Sequence, residues 1–172
     1  MKDLLRQMPS MRLLGASYGT LRFFLVLLLL NCFTASSNAK DAVVVRVAGA
    51  DFQTAHDGLV EAIESEGLVV GSVLPFRAML ARTVVGDGVI PYGEAEIVQF
   101  CSSVLAAELV REDPTQLTLC PLSIAVYSLA GDSSDIRMAY RSPGSSTSGR
   151  RHAESLLKRI VRRAAELARM RW

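Results

Sequence analysis

The residues in this sequence best suited to chemistry are two cysteines, Cys101 and Cys120, with 18 residues between them. Two thiols can close a disulfide, sit apart as small buried groups, or serve as a redox, haem or metal pair. The spacing is not a zinc pattern, and there is no Cys-X-X-Cys or Cys-X-X-Cys-His run. Cys101 immediately precedes a helix start, a position where thiolates are often stabilised. Path decides between the readings. If the helix after Cys101 returns the chain to a parallel strand, Cys120 lies a strand length away, beyond the limit of about 7 Å for a bridge. If residues Pro114 to Leu119 instead carry the chain back, the two meet. The sequence leaves all three readings open.

Other side chains offer less. His56 and His152 are the only histidines, and each reads as a surface or capping residue. A tetrahedral metal site would need both to converge with both cysteines. Glu94 and Glu96 fall on one side of a strand and could be paired as acid and base, but a solvated face explains them. The only Gly- and Ser-rich run, Gly144-Ser145-Ser146-Thr147-Ser148-Gly149, has linker composition and is not a nucleophile elbow. Neither a phosphate loop nor a dinucleotide fingerprint occurs. No catalytic, cofactor-binding or metal residue is assigned, and no cofactor is expected.

Compartment governs what the thiols can do. Phe23 to Leu30 is an unbroken apolar run, followed by Asn31, Cys32 and Phe33 and by small polar residues up to Ser37-Asn38-Ala39. A membrane span needs about 20 apolar residues. The run is shorter, and basic residues precede it, as in a secretory signal with Ala39 the last residue removed. Met11 is an alternative start that leaves this reading unchanged. Lipid attachment at Cys32 is a weaker fit because Asn31 occupies the position where a small residue is wanted; an uncleaved tether is the third option. The expectation is export, to the periplasm, with residues 1–39 as leader and 40–172 as one domain.

Charge is unevenly distributed. Residues 40–149 carry 7 basic and 14 acidic side chains, and residues 150–172 carry 8 basic and 2 acidic. Such a basic tail can contact an anionic membrane surface weakly, here through Lys158, Arg159, Arg162 and Arg163, or it can lie against its own acidic body. Export argues against nucleic acid as the partner.

The elements that must position these residues follow from periodicity. Ala42 to Ala48 is a short β-branched run, hence a strand. Asp51 caps a helix whose apolar face is Phe52, Ala55, Leu59, Ala62 and Ile63, and Gly67 ends it. Leu68 to Leu74 is a strand, and Pro75 opens a short helix. Gly86-Asp87-Gly88 is a loop and Glu94 to Cys101 a strand, with Glu94, Glu96 and Gln99 outward. Ser102 or Ser103 caps a helix that stops before Asp113-Pro114. Leu122 to Leu129 and Ile136 to Tyr140 form a hairpin through Gly131-Asp132-Ser133-Ser134. Ser142 to Gly149 is a flexible connection, and a basic helix closes the chain. The order β-α-β-α-β-α-β-β-α predicts an α/β (α+β) two-layer sandwich on a mixed sheet of about five strands.

Three stretches, PYGEAEIVQFCSSVLAAELVREDP, TLCPLSIAVYSL and IRMAYRSP, give a strand ending at Cys, a helix ending in Asp-Pro, a Cys-Pro pair opening a Val-Tyr strand, and a Tyr-Arg-x-Pro turn. This pattern resembles the bacterial domain of unknown function 302 family, in particular its small exported members, over roughly Val43 to Ala168. The commoner family pattern has Cys-Asn-Pro and Leu-Pro-Cys where this chain has Cys101-Ser102-Ser103 and Leu119-Cys120-Pro121. The resemblance implies a compact α/β domain and no reaction. The reading that results is a non-enzymatic exported module that binds a small ligand or an envelope protein. The alternative is a thiol-based redox or cofactor-handling protein that uses Cys101, Cys120 or both.

Overall fold

The computed structural model describes residues 42–83 and 88–171. The expected leader, with Cys32 and Ala39, and most of the Gly86-Asp87-Gly88 loop lie outside the described residues.

Five strands and four helices follow in the expected order: β1 (Ala42–Val47), α1 (Phe52–Ser65), β2 (Val69–Leu74), α2 (Phe76–Thr83), β3 (Tyr92–Cys101), α3 (Ser103–Glu112), β4 (Leu122–Leu129), β5 (Asp132–Arg141) and α4 (Ser148–Arg171). A 3₁₀ turn, Pro114–Leu119, stands between α3 and β4, and the Cys120–Pro121 peptide that follows it is cis. Local chemistry sets the boundaries. Asp51 Oδ1 accepts the Thr54 N–H at 2.7 Å and Ser102 Oγ accepts the Leu105 N–H at 3.3 Å, so α1 and α3 each begin with a satisfied donor. Gly67, with φ 74, takes the left-handed conformation that ends the first helix cheaply.

The strands form one sheet in the order β1-β5-β4-β3-β2. Every pairing is antiparallel, where the sequence suggested a mixed sheet. The reason lies between β3 and β4. Helix α3 carries the chain about 15 Å away, and the 3₁₀ turn, rising about 2 Å per residue, folds back on α3 and returns the chain to the end of β3 that it left.

Helices α1 and α4 pack on each other and cover one face of the sheet, giving an α+β two-layer sandwich. The strands alternate as a half-covered sheet requires. Leu122, Ile124, Val126 and Ser128 of β4 and Ile136, Met138 and Tyr140 of β5 point into the core, where they meet Leu59, Ile63, Leu157 and Ile160. On the opposite face Phe76, Tyr92 and Tyr127 form an edge-to-face chain with centroids 6.0 and 5.6 Å apart.

The Ser142–Gly149 stretch has the composition of a loose linker, yet it is tied at both ends. Ser142 Oγ donates to Glu154 at 2.7 Å, the Gly149 N–H donates to Glu112 at 2.8 Å, and Arg150 donates to the Pro143 carbonyl at 2.6 Å. These partners come from elsewhere in the chain, which composition cannot report.

Candidate functional site

Cys101 and Cys120 end on adjoining strands. Phe100 pairs with Leu122, so Cys101, the next residue on β3, and Cys120, two before Leu122, lie at the same end of the sheet. Both are free thiols, Cys101 exposed and Cys120 half-buried. Cys120 packs against the core and its backbone N–H donates to Leu117 O at 3.0 Å. Burial first, and the neighbouring Cys101 second, push the Cys120 thiol up. The return path through Pro114–Leu119 is what brings the pair together.

Sequence reasoning did not find what surrounds them. Val69, the cross-strand partner of Cys101 on β2, is 77% exposed; Val104 in the first turn of α3 is 79% and Leu117 in the 3₁₀ turn 66% exposed. Each comes from a different element, and Val104 stands off the face by which Leu105 and Leu109 bury α3.

A second feature lies on the other side of the sheet, between edge strand β1 and α4. The groove holds about 300 Å³, floored by Val43, Val45, Ala48, Tyr140, Val161 and Ala165 and rimmed by Lys158, Arg162 and Arg169; Arg46 borders it from β1, but its side chain turns to Asp135 on the opposite face of the sheet. Val43 and Val45 reach it because alternate residues of β1 face the helices. Residues 158, 161, 162, 165 and 169 reach it because they share one stripe of α4.

The rim cations are only loosely neutralised. Arg162 lies 4.0 Å from Glu166, which it shares with Arg163. Arg169 Nε donates to the Ala165 carbonyl at 3.1 Å. Lys158 is held more closely, 3.2 Å from Glu154. Burial opposes ionisation of Glu154, but donors from Ser142, Lys158 and Tyr140 outweigh it and hold the carboxyl below its ordinary range. Burial and the Glu154 carboxylate raise the Tyr140 hydroxyl in turn.

The remaining candidates are dispersed. Arg159 grips Glu66 with two bonds of 3.1 Å. His152 Nδ1 lies 2.9 Å from Glu108. Glu94 is exposed as expected, but Glu96 is not on an open face. It lies on the helix side of β3, 2.8 Å from His56 Nδ1 of α1, without the alignment of a hydrogen bond. Gln99 faces away from the helices as expected, with Ala95 and Ile97 beside it, whereas Glu96 shares the core side with Val98 and Phe100 and meets a histidine there. Among the described residues no three His, Cys, Asp or Glu side chains converge as a metal site.

The model of the family described as Domain of unknown function DUF302 matches residues 43–169. The fold is also similar to the crystal structure of an uncharacterized conserved DUF302 protein from Bacillus stearothermophilus, with 16% identity and a TM-score of 0.52 over 76% of this chain and 97% of that one. That likeness is one of fold alone. No match is found among curated proteins.

Proposed function

The chain belongs to the DUF302 family, and from that premise we propose that it is an exported ligand-binding module whose seat is the groove between β1 and α4, taking a small anion with an apolar body. The observation that carries this is the pairing of an apolar floor with three cationic side chains of α4 at the rim. Apolar surface rewards burial of the ligand body, and a few polar groups at the mouth fix its orientation. Ligand pockets span roughly 300–1,000 Å³, so a groove of about 300 Å³ suits a compact molecule such as a medium-chain or aromatic carboxylate.

Titration calorimetry with octanoate and octanol tests it. Octanoate is expected to bind at least about tenfold more tightly than octanol, the equivalent of one well-placed charge contact. Arg162→Gln with Arg169→Gln should remove that preference, and Val45→Trp, at a half-buried position of the floor, should block both ligands. Binding of neither ligand by the unaltered protein would sink the reading.

The placement of Cys101 and Cys120 at one end of the β3–β4 ladder favours a second reading, thiol chemistry three strands away from the groove.

A further inference from the structure

Cys101 differs from Cys120 in ways that assign them different tasks. Cys101 is open to solvent, whereas Cys120 is half-buried and packed against the core. The strand ends that hold them are fixed by the β3–β4 ladder, and Cys120 is further fixed by its bond to Leu117. On the elements that flank the pair stand Val69, the cross-strand partner of Cys101, Val104 in the first turn of α3, and Leu117, whose carbonyl binds the Cys120 N–H; all three are large apolar side chains that the fold leaves exposed. None of the three is needed for the core. An accessible thiol, a second thiol at the same end of the β3–β4 ladder and exposed apolar side chains on the flanking elements are together what a site for exchanging disulfides with another polypeptide needs: attacking group, resolving group and docking surface.

We propose that Cys101 and Cys120 form a thiol–disulfide exchange site for a partner protein whose disulfide is flanked by apolar residues. Cys101 attacks as the thiolate. Its sulfur bonds to one sulfur of the partner's disulfide, the partner's S–S bond breaks, and the other partner sulfur leaves as a thiol with the proton that Cys101 lost. Cys120 then gives up its proton and attacks Cys101 Sγ. The Cys101–Cys120 bond forms, the mixed disulfide breaks, and the partner departs with both sulfurs reduced and both protons accounted for. Two electrons pass from this chain to the partner. The reverse sequence runs when the partner is the stronger reductant.

The inference does not depend on the groove. Cys101 lies on β3 and the groove on β1, three strand spacings away, or roughly 14 Å.

The experiment uses the reduced protein and two oxidants, glutathione disulfide and a short peptide whose disulfide is flanked by leucines, read by intact mass and by the rate of thiol loss. The unaltered protein is expected to form one internal disulfide with each. Cys120→Ser should accumulate a mixed disulfide at Cys101, and Cys101→Ser should accumulate none. Val104→Ser with Leu117→Ser, both at exposed positions, should slow the peptide reaction by roughly tenfold through lost apolar contact and leave glutathione unaffected. Circular dichroism confirms that the variants fold. The proposal is overturned if no internal disulfide forms, if trapping occurs at Cys120, if the Val104→Ser, Leu117→Ser variant leaves the peptide rate unchanged, or if the internal disulfide, once formed, is not reopened by excess dithiol. The last result makes the bridge a staple.

Discussion

The Tyr140 hydroxyl of β5 donates to Glu154 Oε1 of α4 at 3.1 Å, and the other oxygen of the same carboxylate accepts Ser142 Oγ at 2.7 Å. Lys158, one turn further along the helix, lies 3.2 Å away. A single carboxylate thus joins the end of the sheet, the connection after it and the rim of the groove.

This carboxylate makes stability depend on acid. Its folded pKa lies below the ordinary value of 4.5, so its contribution is present above that value and is lost as pH falls through the lower, folded one. Hydrogen bonds to a charged group contribute about 1.5–3 kcal/mol when they are well formed. Denaturant midpoints measured from neutral pH into the acid range should decline. Glu154→Gln should lower the neutral value by about 1–2 kcal/mol and flatten the acid limb. An unchanged pH dependence in that variant would remove Glu154 as the cause.

Gly58 marks the close approach of α1 to α4. A Cβ placed there would lie 3.0 Å from Ala164 O and 3.3 Å from Ala168 N, both backbone atoms that cannot swing aside. In a free helix Gly→Ala stabilises by roughly 0.5–1 kcal/mol. Here the sign should reverse, with Gly58→Ala destabilising by about 1–3 kcal/mol as the helices are forced apart. A thermal melt decides it, and a raised midpoint would contradict the close packing.

Much of this fold is legible from short-range pattern. Leu122 to Leu129 alternates cleanly, and the strand occupies those residues. Strand β5 begins at Asp132 rather than Ile136 because its first residues are all polar and project from the layered core, so no alternation announces them. Glu96 misleads because the sequence cannot know that His56, forty residues earlier, faces it. The thiol pair is half legible: both cysteines stand out, but their meeting at one end of the sheet depends on the path of Pro114–Leu119. The groove could not be read at all, since β1 and α4 come from opposite ends of the domain and are brought side by side only by the fold.

Glu112 fastens the start of α4. Its Oε1 accepts the Gly149 N–H at 2.8 Å, and the Thr147 hydroxyl first and Gly149 second hold its carboxyl below the usual range. Glu112→Ala should leave the global unfolding midpoint nearly unchanged while releasing the helix end. Amide exchange at Gly149 and its neighbours should then quicken relative to the middle of α4. Unchanged protection there would show that the latch contributes nothing.

The basic face of α4 bears on membrane contact. A helix that lies on an anionic surface needs an apolar stripe free to enter the headgroup region. That stripe is already buried here: Ala153, Leu157, Ile160, Val161, Ala164 and Ala168 face the sheet and α1. The cations are partly engaged as well, Arg159 by Glu66, Lys158 by Glu154, and Arg162 and Arg163 by Glu166. Exposed pairs of this kind contribute only about 0–1 kcal/mol and are screened by salt, so Arg159→Gln should shift stability by no more than that. Without insertion, only weak, screened attraction remains. The domain should not sediment with phosphatidylglycerol liposomes at physiological salt. Strong sedimentation that disappears in high salt, and again when Arg159, Arg162 and Arg163 are neutralised, would mean that α4 meets a membrane before it meets a small ligand.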